Sequence, residues 1–156
     1  MTDTVSARLA ELGIALPEAA APVAAYVPTL EVGGLLFISG QISFAADGSR
    51  ITGTLGKDMD ADAGQQAAER CGLMLIAQMK KALGSLDRVE RIVKLGAFVA
   101  STPDFTEQPK VANGASELME KVFGEAGRHT RSAVGVPVLP LGAAVEIDAI
   151  IAVKAG

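Results

Sequence analysis

The sequence predicts an α+β fold, a mixed β-sheet carrying two main helices on one face. Three observations lead there. Two pairs of apolar, β-branched segments flank Gly-Gly and Pro/Gly turns, as hairpins do. Two other segments repeat apolar residues at the helical period. The elements run hairpin, helix, strand, helix, hairpin, an order that favours helices layered on one side of a sheet. At 156 residues the chain has the length of one ordinary domain.

In order along the chain, Val5, Leu9 and Leu12 recur at helical spacing before Gly13, predicting a short N-terminal helix. The Pro/Ala-rich stretch from Leu16 to Pro22 reads as an extended connector, so residues 1–21 form an extension to a domain over 22–156. AYVPTLEVGGLLFISGQI then holds two apolar runs around Gly33-Gly34. If Val32 pairs with Leu35, Leu30 faces Phe37 and Tyr26 faces Gln41. Pro28 has no amide and belongs at a free edge or an irregular point. FAADGSRITGTLGKD is a loop with a short strand near Arg50 to Thr54. From Asp62 the pattern turns helical, with Ala67, Cys71, Met74, Leu75 and Ala82 on one stripe, ending at Gly84. RIVKLGAFVAS has the length and apolarity of a buried strand. A second helix carries Val111, Ala115, Leu118, Met119 and Val122 and stops at Gly124. The closing segment, HTRSAVGVPVLPLGAAVEIDAIIAV, reads as a hairpin turning at Leu139-Pro140.

Composition excludes several classes of function. The hydrophobic fraction is 49% and the mean hydropathy +0.34, yet no apolar run reaches the roughly 18 to 20 residues needed to span a bilayer. Apolar surplus without a membrane segment points to burial in an oligomer. A net charge of −4 and an aromatic fraction of 4% disfavour a phosphate backbone and offer few stacking platforms, so nucleic acid is not an expected partner. One cysteine and one histidine leave no intramolecular disulfide, cysteine-based zinc site or two-histidine metal motif. Asp3, Arg8 and Glu11 interrupt any signal-peptide core, and the expected compartment is the cytoplasm.

No common catalytic signature is present. Cys71 falls on an apolar helical stripe, where a buried structural thiol is expected. His129 stands alone before a strand, and a surface or capping role is expected of it. The remaining candidates are charged residues inside apolar strands, which are seldom buried unless paired or used. A turn at Leu139-Pro140 places Arg131 opposite Asp148, with Glu146 diagonal to it. That set reads either as a structural ion pair or as a clamp. Arg offers a planar fork for a substrate carboxylate, and a nearby Glu can orient a water. Ser39-Gly40-Gln41 ends its strand with Tyr26 expected opposite. A glycine there lets a ligand approach the backbone, although a bulge would leave the same trace.

Together FISGQI and TRSAVGVPVLPLGAAVEIDAIIAV closely resemble the paired signatures of the Rid/YjgF family, the reactive-intermediate deaminases, also called endoribonuclease L-PSP-like. Those signatures are a strand ending in SGQ, and an R-S-x-V strand followed by L-P, a short turn and V-E-I-E-A. The resemblance covers about residues 22 to 154. It implies a chorismate-mutase-like fold assembled as a homotrimer with active sites in clefts between subunits. It also implies cofactor-independent, metal-free hydrolysis of enamines and imines such as 2-aminoacrylate to 2-keto acids and ammonia. On this resemblance Arg131 binds the substrate carboxylate, Glu146 serves the attacking water, and Tyr26 matches the family's tyrosine. Ser39 and Gly40 line the cleft floor and the Ala133 backbone faces the substrate.

The chain departs from the family pattern in places. It reads A-A-Y-V-P-T for the usual P-Y-S-Q-A, has Ala133 two beyond the arginine, and carries SELMEKVF after extra residues around Gln108 to Asn113, where the family has N-x-x-Y. These departures indicate a divergent, longer-chain branch, with Asn113 and Ser116 left unassigned. An imine carbon is already electrophilic, so positioning and a proton donor suffice for its hydrolysis. A non-catalytic trimer holding a 2-keto acid on the same arginine is the second reading, and a ribonuclease a distant third.

Overall fold

The computed structural model describes residues 3–22 and 24–156. Its α-helices are α1 (Thr4–Glu11), α2 (Ala61–Leu83) and α3 (Gln108–Phe123). Its strands are β1 (Thr29–Val32), β2 (Leu35–Ile42), β3 (Val89–Ala100), β4 (Thr130–Val136) and β5 (Val145–Val153). The strands form one mixed sheet in the order β1-β2-β5-β3-β4. Helices α2 and α3 bury one face of it, as the alternation of elements predicts.

The β1–β2 hairpin turns on Gly33 and Gly34, whose positive φ values of 60° and 77° suit a two-residue turn. Val32 pairs with Leu35 and Leu30 with Phe37, the register the apolar pattern predicts. Pairing begins only at Thr29 opposite Ile38, however, so Tyr26 lies before the strand and does not face Gln41 across it. Pro28 ends the ladder. It has no amide to donate, and its carbonyl accepts from the Ser39 amide at 2.9 Å. The expected strand near Arg50 to Thr54 reduces to the isolated bridges Phe44–Arg50 and Thr52–Ala143.

Helix α2 starts at Asp60, whose side chain accepts from the Ala63 amide, and ends at Gly84. Ala67, Cys71 and Leu75 are completely buried, as are Val111, Ala115 and Met119 on α3. The two helices approach closely at Gly114, where a Cβ would press into the Gln65 carbonyl. Small residues at the crossing let the backbones meet over the sheet.

The C-terminal pair corrects the sequence expectation. β4 and β5 do not form a hairpin, because β3 runs between them, parallel to β4 and antiparallel to β5. Arg131 is level with Leu95, and Asp148 with Gly96, so neither Asp148 nor Glu146 is the strand neighbour of Arg131. Two physical reasons stand out. The link from Pro137 to Ala144 holds two prolines and a 3-10 turn at Pro140–Gly142, which is not a hairpin turn. The apolar β5 also gains a ladder on both sides by inserting between β2 and β3, the position that suits a continuous apolar run.

Along β5, Val145, Ile147, Ala149, Ile151 and Val153 are buried beneath the helices, while Glu146, Asp148, Ile150 and Ala152 turn to the other face. Among the described residues no helix covers that second face. Leu30, Val32, Phe37 and Val134 stay exposed on strands β1, β2 and β4.

Helix α1 is held by reciprocal caps. Asp3 accepts from the Ser6 amide and also from the Ser85 hydroxyl and the Leu86 amide, both at 3.0 Å. Asp87 in turn accepts from the amides of Thr4 (2.8 Å) and Val5 (3.1 Å). Leu9 on α1 joins the main core. No helix among the described residues is long and apolar enough to cross a membrane.

Candidate functional site

The residues singled out in the sequence fall into two groups on opposite faces of the sheet. The first surrounds Glu146. Between Ile38–Ala149 and Gln41–Ile147 the β2–β5 ladder carries an extra residue on β2, a β-bulge at Ser39-Gly40. The bulge brings the Gly40 backbone beneath the Glu146 side chain, and a Cβ at position 40 would collide with its carboxylate. Glycine is therefore what allows Glu146 to lie flat over β2. A cleft of about 380 Å³ opens there, lined by Tyr26, Gly40, Gln41, Arg50 and Glu146, with Ala20 to Pro22 of the connector on its rim. Leu141 stands on the same rim with a φ of 60°, a left-handed conformation unusual for a branched side chain.

Burial pushes the Glu146 carboxyl above its ordinary range, and the neighbouring Asp148 carboxylate adds to the effect. Asp148 is also raised by burial, against the Gly96 amide and the Lys94 charge that favour its ionised form. Gln41 turns to the helix side instead. Its amide nitrogen donates to the Ser39 carbonyl at 2.9 Å, and its oxygen accepts from Gln78 at 3.3 Å. Gln78 also donates to the Ala20 carbonyl at 2.8 Å, which ties the connector to the rim of the Glu146 cleft. Ser39 spends its hydroxyl on the Val27 carbonyl, 2.8 Å away. Tyr26 is about half exposed and reaches both this cleft and a larger one on the uncovered face.

The second group surrounds Arg131, on the helix side of edge strand β4. Its Nη1 donates to Asn113 Oδ1 at 2.9 Å and to Ser116 Oγ at 3.1 Å, and its Nη2 donates to the Pro109 carbonyl at 3.3 Å. Three of five guanidinium hydrogens are thus used. Among the described residues Nε makes no hydrogen bond, so Nε–H and one Nη2–H are without an acceptor. His129 completes the group, with Nε2 2.8 Å from Ser116 Oγ and Nδ1 2.6 Å from the Gly127 carbonyl oxygen. These side chains line a cleft of about 310 Å³ together with Glu117, Glu120 and Arg128. Ala133, two residues beyond Arg131 and on the same strand face, packs against the core.

The structure therefore joins Tyr26, Gly40 and Glu146, joins Arg131 with Ala133, and keeps the two groups apart. Ser39 faces Val27 at the border of the first. Sequence reasoning missed Asn113, Ser116 and His129 as partners of Arg131. The signal was present in two spacings. Asn113 and Ser116 are three apart on a helix and share a face, and His129 and Arg131 alternate onto one side of an extended segment. What was lacking was the knowledge that β4 runs beneath α3.

The two groups thus hold a half-buried carboxylate whose proton affinity is raised by burial and an arginine oriented by three neutral acceptors. The chain belongs to the family described as "YjgF/chorismate_mutase-like, putative endoribonuclease", whose model matches residues 6–151. Protein TCP17 of Trypanosoma cruzi is 53% identical over 148 residues, covering 94% of this chain and 92% of that protein. A crystal structure from Shewanella oneidensis MR-1, under the same endoribonuclease description, aligns with a TM-score of 0.92 at 35% identity, covering 97% of this chain and all of the other. A Dermatophagoides farinae protein named 2-iminobutanoate/2-iminopropanoate deaminase is 28% identical over 142 residues, or 90% of this chain and 95% of that protein.

Proposed function

We propose that the protein is a cofactor-independent deaminase, hydrolysing small enamines or imines of the 2-aminoacrylate type to 2-keto acids and ammonia in the cytoplasm. The observation that carries this reading is the state of Arg131. Asn113, Ser116 and Pro109 hold its guanidinium in place while one edge, Nε–H and Nη2–H, is left for a carboxylate. Such side-on capture is bidentate and fixes the orientation of the substrate. The name of the Dermatophagoides farinae relative supports the same chemistry. The substrate's carbon–nitrogen double bond is already electrophilic, so orientation and a held water supply most of what hydrolysis needs. Glu146, over Gly40, is the group that orients the water.

Within one chain Arg131 and Glu146 lie on opposite faces and cannot touch one substrate. The reading therefore includes assembly, with the Arg131 group of one copy meeting the Tyr26–Gly40–Glu146 group of the next in a homotrimer. The uncovered, apolar sheet face with Leu30, Val32 and Phe37 supports such an assembly, since a patch of this kind is normally buried against a partner. The same separation favours a second reading, a trimer that binds a 2-keto acid on Arg131 without turning it over.

The test generates 2-aminoacrylate in situ from serine with a pyridoxal-dependent lyase and follows keto-acid formation. Wild type should accelerate it, while Arg131→Ala, folded by circular dichroism, should match the reaction without added protein. No acceleration by wild type, with pyruvate still bound in an Arg131-dependent way, would establish the binding reading instead.

A further inference from the structure

A glutamine in a core is costly unless its amide is bonded. Gln78 of α2 is nonetheless 1% exposed, next to the completely buried Ile76 and Met79, and Gln41 of β2 is 7% exposed. Their amides form a chain of fixed polarity. The carbonyls of Ala20 and Ser39 stand at its two ends and can only accept, so each side chain must aim its NH2 group at one of them. Gln41 Oε1 is then left to accept the second hydrogen of Gln78, at 3.3 Å. Satisfied in this way, a buried polar chain rigidifies what it joins.

It joins two stretches of irregular backbone. Ser39 lies in the β-bulge beside Glu146, and all three of its polar groups are engaged. Its amide donates to the Pro28 carbonyl at 2.9 Å, its hydroxyl donates to the Val27 carbonyl at 2.8 Å, and its carbonyl accepts from Gln41. The segment leading into β1 is thus fastened to the bulge twice, directly at Val27 and Pro28, and at Ala20 through the two glutamines. Between the fastenings Ala21, Pro22, Ala24 and Tyr26 line the cleft that holds Glu146. Among the described residues the segment's own backbone bond is local, from the Tyr26 amide to the Ala24 carbonyl at 2.8 Å. Its course along the cleft therefore depends on its two ends.

We infer that Gln78 and Gln41 are positioning residues for the Glu146 cleft, holding the wall of residues 20–22 and 24–28, Tyr26 included, against the Ser39-Gly40 bulge. Neither glutamine touches substrate in this role. A reacting group is held only as well as the side chains that lock its surroundings. The effect on rate rests on the proposed deaminase reading, whereas the hold on the wall is measurable without substrate.

The chain has one tyrosine and no tryptophan, so tyrosine emission reports Tyr26 alone. Methionine matches glutamine in length and has no hydrogen to donate. In Gln78→Met the Ala20 fastening is lost, and acrylamide quenching of the half-exposed Tyr26 should rise toward that of a free tyrosine. With 2-aminoacrylate, kcat should fall about 10- to 100-fold while KM, set by the Arg131 clamp, stays within about twofold. Gln41→Met should behave alike, and the double variant should lose no more than the worse single one, because both cut the same chain. Val122→Ala, which opens the core on α3, should lower the melting temperature and leave both quenching and kcat unchanged. Unchanged Tyr26 quenching in Gln78→Met overturns the hold on the wall. Unchanged kcat in the folded variant overturns the positioning role, as does an equal loss in Val122→Ala or a double-variant loss that multiplies the single ones. Absence of deaminase activity in wild type overturns the functional reading, and quenching then decides the hold on the wall alone.

Discussion

Gly40→Ala is a small change that separates a structural glycine from a functional one. Gly40 lies in β2 with φ outside the left-handed range, so alanine fits its backbone. The obstacle is the neighbour, since a methyl at position 40 would fall 2.8 Å from Glu146 Cδ and closer still to Oε2. The backbone is held on either side of the bulge by the Ile38–Ala149 and Gln41–Ile147 pairs, whereas the glutamate side chain is flexible and half exposed, so the side chain moves. Turning Glu146 off its rotamer costs about 0.5–1.5 kcal/mol. Restricting the unfolded chain by Gly→Ala offsets about 0.4–1 kcal/mol of that. The melting temperature should therefore stay within about 4 °C of wild type. Activity should not survive as well. Displacing a water-orienting group by about 1 Å can cost about 100-fold in rate, or about 2.7 kcal/mol of transition-state stabilisation. Keto-acid release from 2-aminoacrylate should thus fall about 100-fold in kcat/KM, as for Glu146→Gln. The double variant should fall no further, because both changes remove one interaction. Near-wild-type kcat/KM in Gly40→Ala, or a loss in the double variant that multiplies the two single losses, would refute the reasoning.

Two further outcomes follow from the charged groups. The raised carboxyl of Glu146 means that the folded state holds its proton more tightly than the unfolded chain. Its contribution is present below the ordinary glutamate range, about pH 4.3, and is lost as pH rises through the folded value. Glu146→Gln should therefore raise the melting temperature at pH 8, with the gain shrinking toward pH 4; a lower melting temperature at pH 8 would contradict it. Asp3 has the opposite sign. Burial works against its charge, but hydrogen bonds from Ser6, Leu86 and Ser85 outweigh it and hold the carboxyl well below its usual value. Its stabilisation is present above about pH 3.9 and is lost as pH falls through the folded value. Asp3→Ala should cost about 1 kcal/mol at pH 7, as lost helix caps do. Thermal melts should show that gap narrowing in strong acid, and a gap unchanged there would contradict the capping account.

The local elements were legible in the sequence because their causes are local. Gly33-Gly34 imposes its own turn, and Val111 to Val122 repeat at the period of a helix that covers something. The register of β1 with β2 followed from the turn alone. What failed was the neighbour relation of β4 and β5. Sequence adjacency and a Pro/Gly link suggest a hairpin, but strand order is decided by which strand profits from two neighbours. β5, apolar on its helix side along its whole length, takes the interior position. β4 is mostly exposed or half-buried and takes the edge. Tyr26 was misplaced for a related reason, since Pro28 ends the ladder before the tyrosine can join it.

The insertion of β3 between β4 and β5 sets the surroundings of both charged groups. Had β4 and β5 paired, Arg131 and Glu146 would neighbour one another, and the guanidinium would neutralise the carboxylate. With β3 between them, each keeps its own surroundings. Arg131 is oriented by neutral acceptors, Asn113, Ser116 and the Pro109 carbonyl, none of which cancels its charge. Glu146 meets no cation that outweighs its burial, and its proton affinity rises. A clamp that still carries net charge and a carboxylate that still accepts protons are what carboxylate capture and water orientation require. On the proposed reading, a ligand's own carboxylate would be the group that satisfies Arg131. On the proposed reading, separation within the chain would keep both groups reactive until a substrate and a second copy brought them together.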